Sequence, residues 1–356
     1  MDDLDTPCLL VDLDPFERNI AALSAYCRAQ GKAWRPHAKC HKSPVIARKL
    51  IAAGALGATC AKLGEAEVLG AAGIRDLLIA NPLVGPLKLR RLVALRGSAD
   101  PIAVVDHPAQ VEGLSRAADA GRVTLRVLVE VDVGMRRCGV EPGLAAVALA
   151  KQIDAAPGLA LAGIMGYEGH LLTVADPGEK EARIRTALGM LASTKEALAA
   201  AGLPCPIVSA GGTGSFEIAA RVDGVTEIQA GGGIFMDLLY RNLCQVSQLE
   251  FALIVLTTVT SRPAPDRAII DAGRKTLNME LHMPEVRGRP GIRVRSLSAE
   301  HGTLELAPGE DLTIGHRLEL IPGYSDFTTV LHDRFFGVRA GRLEAIWPLE
   351  ARGRLD

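Results

Sequence analysis

The sequence predicts an α/β protein, a (β/α)8 TIM barrel followed by a C-terminal β-domain. Three observations predict it. Eight short apolar or β-branched runs alternate with Ala- and Leu-rich stretches of helical spacing. After about residue 246 the texture changes to β-branched runs broken by Gly, Pro and Asp. The unusual polar and Gly-rich residues fall just after the apolar runs, where barrels of this kind carry their sites. A chain of 356 residues also exceeds the roughly 250 of a barrel alone, which leaves room for a second domain. The expected boundaries are 13–245 for the barrel, with 1–12 and 246–356 forming the β-domain.

The eight runs are KAWRPHA (32–38), ALGATCA (55–61), DLLIA (76–80), PIAVV (101–105), LRVLVEVD (125–132), LAGIMGY (161–167), PIVSA (206–210) and VTEIQA (225–230). Between them, SPVIARKLIAAG, GEAEVLGAAG, PLKLRRLVAL, PAQVEGLSRAADAG, GLAAVALAKQI and EKEARIRTALGMLASTKEALAAAG have helical periodicity. Strand then helix, repeated eight times, implies parallel strands, and closing them on themselves gives the barrel. Beyond it, QLEFALIVLTTVTSR, RAIIDAG, HGTLELAPGEDLTIGHRLELIPG and FFGVRAGRLEAIWPL read as strands with turns and no strong helix. The extended TPCLLVDL near the N-terminus is a candidate to join them.

Composition narrows the function classes. Lys plus Arg number 40 against 41 Asp plus Glu, for a net charge of −1, so no nucleic-acid surface is indicated. The acidic MDDLDTPCLLVDLD lacks an export signal, which leads us to expect a cytoplasmic protein. Apolar runs such as LALAGIMG fall short of the roughly 20 residues needed to span a bilayer. Seven cysteines with no CxxC pair fit reduced, mostly structural thiols.

The stretch RPHAKCHKSP (35–44) loads Arg35, His37, Lys39, His41 and Lys42 into a chain of almost balanced charge. Read as a strand, it projects Arg35, His37, Lys39 and His41 from one face. A row of cations there calls for an anion. Neighbouring cations also disfavour a charged lysine amine, so Lys39 is placed as a nucleophile of the kind that forms Schiff bases. After the seventh and eighth strands, SAGGTGS and QAGGG supply Gly211, Gly212, Gly214 and residues 231–233. Loops at those two positions commonly cradle phosphate, and a phosphorylated cofactor or substrate is the natural anion.

RPHAKCHK, CAKLGEAEV, VEVDVGMRRCGV, MGYEGH, VSAGGTGS, TEIQAGGGIFMD, IIDAGRK and SAEHG, in this order over nearly the whole chain, resemble the D-threonine aldolase and D-serine dehydratase family. The resemblance implies a fold-type III enzyme with an alanine racemase-like barrel and pyridoxal 5′-phosphate as cofactor. It implies that Lys39 carries the cofactor as a Schiff base and that Arg137, in DVGMRRCG, lies near its phenolic oxygen. Tyr167 of GYEGH then packs on the pyridine ring. Ser209, Gly211, Gly212 and Thr213 form the phosphate loop, with Gly231 and Gly232 contributing from the last strand. A homodimer whose β-domain closes the partner's active site is also implied.

In this family the cofactor is an electron sink, and the protein selects the bond that breaks. The resemblance implies retro-aldol cleavage of D-3-hydroxy amino acids to glycine and an aldehyde, with dehydration by β-elimination as the alternative. In both, a divalent metal (Mg, Mn or Zn) held by a His-x-Asp or His-x-Cys pair engages the β-hydroxyl. Here the stretch is IPGYSDFTTVLHD, so Tyr324 stands in the histidine's place and Asp326 alone keeps its identity. A phenol is a poor neutral ligand, and a lone aspartate binds such ions weakly. His301 and His332 are the candidate replacements. The same substitution suggests Tyr324 as an acid/base partner of Lys39, which opens a third reading as a metal-independent racemase or epimerase. A cofactor-handling protein without turnover is disfavoured by the long β-domain. Aldol cleavage is preferred because Asp326 matches the aldolase pattern, where the dehydratases carry Cys.

Overall fold

The computed structural model describes residues 3–356; residues 1 and 2, the start of the segment expected to join the β-domain, lie outside the described residues. The chain divides into two compact units. One is Leu23–Gly231 with Gly353–Asp356, and the other combines the segment ending at Ala22 with Gly232–Arg352.

The elements begin with β1 (Cys8–Asp12) and α1 (Leu13–Ala29). The first unit then builds its sheet from eight parallel strands: β2 (Ala33–Trp34), β3 (Ala58–Cys60), β4 (Asp76–Ile79), β5 (Asp100–Val105), β6 (Leu125–Glu130), β7 (Leu159–Met165), β8 (Ile207–Ala210) and β9 (Glu227–Ile228). Each of the eight runs predicted from sequence overlaps one of them, β5 and β7 starting one and two residues earlier than expected. Their order is β2-β9-β8-β7-β6-β5-β4-β3, and a parallel bridge between His37 and Thr59 joins the two ends. The Thr59 N–H donates to Pro36 O at 2.9 Å beside that bridge, so the sheet closes as a (β/α)8 barrel.

The helices between strands are α2 (Pro44–Ala52), α3 (Leu63–Ala71), α4 (Pro86–Leu95), α5 (Pro108–Gly121), α6 (Leu144–Ala155), α7 (Pro177–Ala200) and α8 (Phe216–Ala220). Four of them start on proline, which fixes φ for the first turn and gives up only an N–H that lacks a helical partner. Asp176 also caps α7, its carboxylate accepting the Glu179 N–H at 2.7 Å. Inside the barrel, Leu78, Ile102, Val104, Leu128, Ala162 and Met165 form an apolar cluster drawn from β4 to β7 alone. Alternation along β4, β5 and β6 separates this inner layer from the side chains that meet the helices, and a register irregularity in β7 lets Ala162 and Met165 join it.

Below that layer, at the N-terminal ends of the strands, the barrel is closed by ions. Arg35, fully buried, donates from Nε to Glu227 Oε1 at 2.9 Å and from Nη1 to Asp76 Oδ1 at 2.8 Å. Arg126 reaches the same Asp76 oxygen at 2.8 Å. Burial alone would raise the Asp76 carboxyl, but Arg35 and Arg126 outweigh it and hold the group below the ordinary aspartate value. Its stabilising contribution is thus present above the unfolded-state pKa and is lost as pH falls through the lower folded value. Removing one partner leaves a buried charge uncompensated. Glu227→Ala is expected to cost ~3–5 kcal/mol in urea unfolding. A loss below about 1 kcal/mol, the range of exposed pairs, would show that the network is not a buried one in energetic terms.

In the other unit, β1 pairs antiparallel with β10 (Leu253–Ala264) and parallel with β16 (Arg334–Arg339). With β11 (Arg267–Ile270), β12 (Glu285–Val286), β13 (Ile292–Leu297), β14 (Gly302–Leu306), β15 (Arg317–Ile321) and β17 (Arg342–Pro348) they make a nine-stranded, mostly antiparallel sheet. One short helix, α9 (Ser325–Thr329), interrupts the strands where none was predicted. The rings of Phe16, Phe235 and Phe335 pack in series at 5.9 and 5.3 Å, the first pair stacked and the second tilted, with Trp347 at 5.8 Å from Phe16. All four are buried.

Candidate active site

The strand reading of residues 35–42 is corrected by the structure. β2 stops at Trp34, because Pro36 has no N–H to donate to a ladder and also restricts Arg35. Ala38–Cys40 instead forms a 3-10 turn beyond the strand, with His37 as its N-cap. The row of cations also finds its anions within the protein. Arg35 is committed to Glu227 and Asp76 at the opposite end of the barrel, and Lys42 makes a buried ion pair with Glu65. His41 is held down to about 3 by burial and by Lys42. His37 lies well below its ordinary value, through burial first and then the charges of Lys39, Lys42, His41 and Arg137. Both imidazoles are therefore neutral at pH 7.

Lys39 itself is half-buried on that turn, and its N–H donates to His37 Nδ1 at 3.4 Å. The turn is anchored to the end of β9, where the His37 N–H donates to Gln229 O at 3.0 Å. Gly231 lies so close that a Cβ there would sit 2.3 Å from His37 O. Only glycine fits without moving the lysine's turn.

Arg137, Tyr167 and Gly212 form a second contiguous group. The Arg137 guanidinium carbon lies 5.8 Å from the Tyr167 ring centroid, a cation–π distance. A Cβ on Gly212 would lie 3.0 Å from the edge of the same ring. Arg137 is half-exposed and 3.9 Å from Glu130. Its charge also acts on His37, which ties this group to the lysine's turn. Gly211 is left-handed, with φ 77°. Thr213 and Ser209 are buried, and the Ser209 hydroxyl accepts Gln229 Nε2 at 2.9 Å.

Two buried acids at this end of the barrel are absent from the set derived from sequence. Glu168, beside Tyr167, accepts the Ser215 hydroxyl and the Gly211 N–H, while the Gly212 N–H donates to Ser215 Oγ at 3.1 Å. It therefore shapes the glycine loop from inside, and burial raises its pKa. Glu130 ends β6 and is pushed up to about 7 by burial, with Arg137 opposing and Asp106 and Asp132 reinforcing. Neither acid stands out in a sequence, because nothing local marks a carboxylate that the fold will bury.

In the β-rich unit, Tyr324 caps α9 and donates its hydroxyl to Asp326 Oδ2 at 2.9 Å. Both are buried, and the Tyr324 ring meets Tyr240 and Phe327 edge-on at 6.0 and 5.0 Å. Gly232 packs on the same Tyr240, to which a Cβ would come within 2.7 Å. Asp237 accepts the Ser325 N–H and hydroxyl at 2.8 and 2.7 Å, and burial brings its pKa to about 7. Residues 324 and 326 do not fit a metal-binding pair, because the phenol is engaged as a donor to the one carboxylate. Among the described residues no group of three His, Cys, Asp or Glu side chains is arranged to hold a metal ion. The His332 ring donates to Thr276 O at 2.9 Å, and His301 is exposed.

A phosphorylated cofactor bearing an aldehyde fits the barrel group. It presents an amine beside neutral imidazoles, an arginine with an aromatic ring, and a glycine loop whose missing Cβ atoms leave room.

Comparison with known proteins agrees with this class. Residues 11–238 match the family described as "Alanine racemase, N-terminal domain", and residues 252–338 match "Putative serine dehydratase domain". A D-threonine aldolase of Arthrobacter sp is 40% identical over 353 residues, covering 98% of this chain and 93% of that protein. A 3-hydroxy-D-aspartate aldolase of Paracoccus denitrificans (strain Pd 1222) is 36% identical over 362 residues, or 99% and 93%. The crystal structure of D-threonine aldolase from Filomicrobium marinum superposes with a TM-score of 0.97 at 39% identity, covering 100% of this chain and 98% of the other. The chain belongs to the D-threonine aldolase and D-serine dehydratase family.

Proposed function

We propose that this protein is a pyridoxal 5′-phosphate-dependent lyase that cleaves D-3-hydroxy amino acids by retro-aldol reaction to glycine and an aldehyde. The observation that carries the reading is the placement of Lys39 on a turn at the C-terminal end of the first barrel strand, locked against Gly231 and His37. When bound, the cofactor supplies the aldehyde that a lysine amine captures and the electron sink for the breaking bond. Lys39 would hold that aldehyde. Arg137 would face the phenolic oxygen and Tyr167 the ring. Gly211, Gly212 and Thr213, with Gly231 and Gly232, would seat the phosphate, and Ser209, fixed by Gln229, would support the loop. Because the N–H groups of Gly211 and Gly212 already serve Glu168 and Ser215, the glycines matter there chiefly by leaving space.

Tyr324, hydrogen-bonded to Asp326, is proposed to move a proton in place of the metal that the family pattern would engage. The active form is proposed to be a homodimer in which the β-domain closes the partner's site. Since Tyr324 replaces the histidine, a metal-independent racemase or epimerase using Lys39 and Tyr324 is the second reading. One experiment separates the cases: purified enzyme is given D-threonine, D-serine and D-alanine, with and without chelator. Aldehyde and glycine, unaffected by chelator, are expected. A 2-oxo acid with ammonia would indicate dehydration instead. Deuterium taken up at Cα when the assay is run in heavy water, with loss of optical purity, would indicate racemisation.

A further inference from the structure

Along the inner face of β6, two-residue alternation places Arg126 in the ionic base, Leu128 in the apolar layer and Glu130 at the site end. Glu130 is 4% exposed, and its Oε2 has no hydrogen-bond partner. Its Oε1 lies 3.9 Å from Arg137 Nη2, within ion-pair range but beyond a hydrogen bond. The other acids acting on it are already engaged. Asp106 accepts Gln110 Nε2 at 2.7 Å and the Gly139 N–H at 3.0 Å. Asp132 accepts the Gly134 and Arg136 N–H groups at 2.9 and 3.0 Å. These bonds pin the loop that carries Arg137. Glu130 is the buried carboxylate beside it with an oxygen to spare.

We propose that Glu130 is a positioning residue for Arg137: ionised, it draws the guanidinium toward the inner wall of the barrel, and protonated, it releases it. The proposal rests on the reading that Arg137 faces a bound cofactor, and it makes the placement of that arginine depend on pH. Burial brings the Glu130 carboxyl to about 7, with Arg137 lowering it and Asp106 and Asp132 raising it. Cys138, the other titratable neighbour, is raised by its own burial and then by Glu130, so it stays a neutral thiol near pH 7. The hold on Arg137 is therefore present above neutrality and lost below it.

The test uses the cofactor-free chain and an arginine-selective dicarbonyl reagent, with labelled peptides quantified by mass spectrometry. Labelling of Arg137 is expressed relative to exposed Arg122, which cancels the reagent's own pH dependence. Between pH 8 and pH 6 the ratio is expected to rise about three- to fivefold in the wild type, the change that an ion pair of this exposure gives. In Glu130→Gln it should stay at the higher level throughout. A flat wild-type ratio, which needs no variant to fold, would overturn the proposal, as would a Glu130→Gln profile that follows the wild type. In the loaded enzyme, Glu130→Gln should also remove a component near pH 7 from the titration of the cofactor's absorption. Because the labelling assay contains no cofactor, its failure is distinguishable from failure of the Lys39 assignment.

Discussion

Lys39→Ala is expected to abolish turnover of D-3-hydroxy amino acids, with a fall beyond the ~10⁴-fold that loss of a single acid/base group costs. The size follows from what the amine does. It would hold the cofactor and also be available to move protons at the reacting carbon, so alanine removes two functions at once. The variant should fold normally, since Lys39 is half-buried on a short turn whose fixed points are the His37 backbone and Gly231. Product assays on variant and wild type, with circular dichroism as the folding control, check this. Activity within tenfold of wild type would place the chemistry elsewhere.

Tyr324→Phe comes next in size, with an expected loss of about 10²- to 10⁴-fold in kcat. The substitution deletes the hydroxyl that donates to Asp326 but keeps the ring that packs against Tyr240 and Phe327, so stability should change little. Chelator should leave the wild-type rate unchanged, because the pair at 324 and 326 is a donor with its acceptor and not two ligands. Near-normal kcat in the phenylalanine variant would remove Tyr324 from the reaction.

The barrel was legible because its signals are local. Proline-started helices and short apolar runs follow each other with little between them, and each of the eight runs overlaps a strand. The grouping of the candidate residues was legible for the same reason, since parallel strands put all their C-terminal ends on one face. The electrostatics of residues 35–42 were not. Arg35 is neutralised by Glu227, 192 residues away, and nothing near either residue announces the pairing. The short β2 could have been read from Pro36 alone. Glu130 and Glu168 escaped because their importance comes from burial, which a sequence pattern assigns to apolar residues first. Tyr324 is the reverse case: a single letter departing from a family pattern singled the residue out, while its hydrogen bond to Asp326 was not foreseen.

The amine of Lys39 is proposed to carry the cofactor. Reducing the cofactor-loaded enzyme with borohydride and mapping the tagged peptide tests it directly. One pyridoxyl group is expected, on Lys39 within RPHAKCHK; a tag on any other lysine, or none, would overturn the assignment.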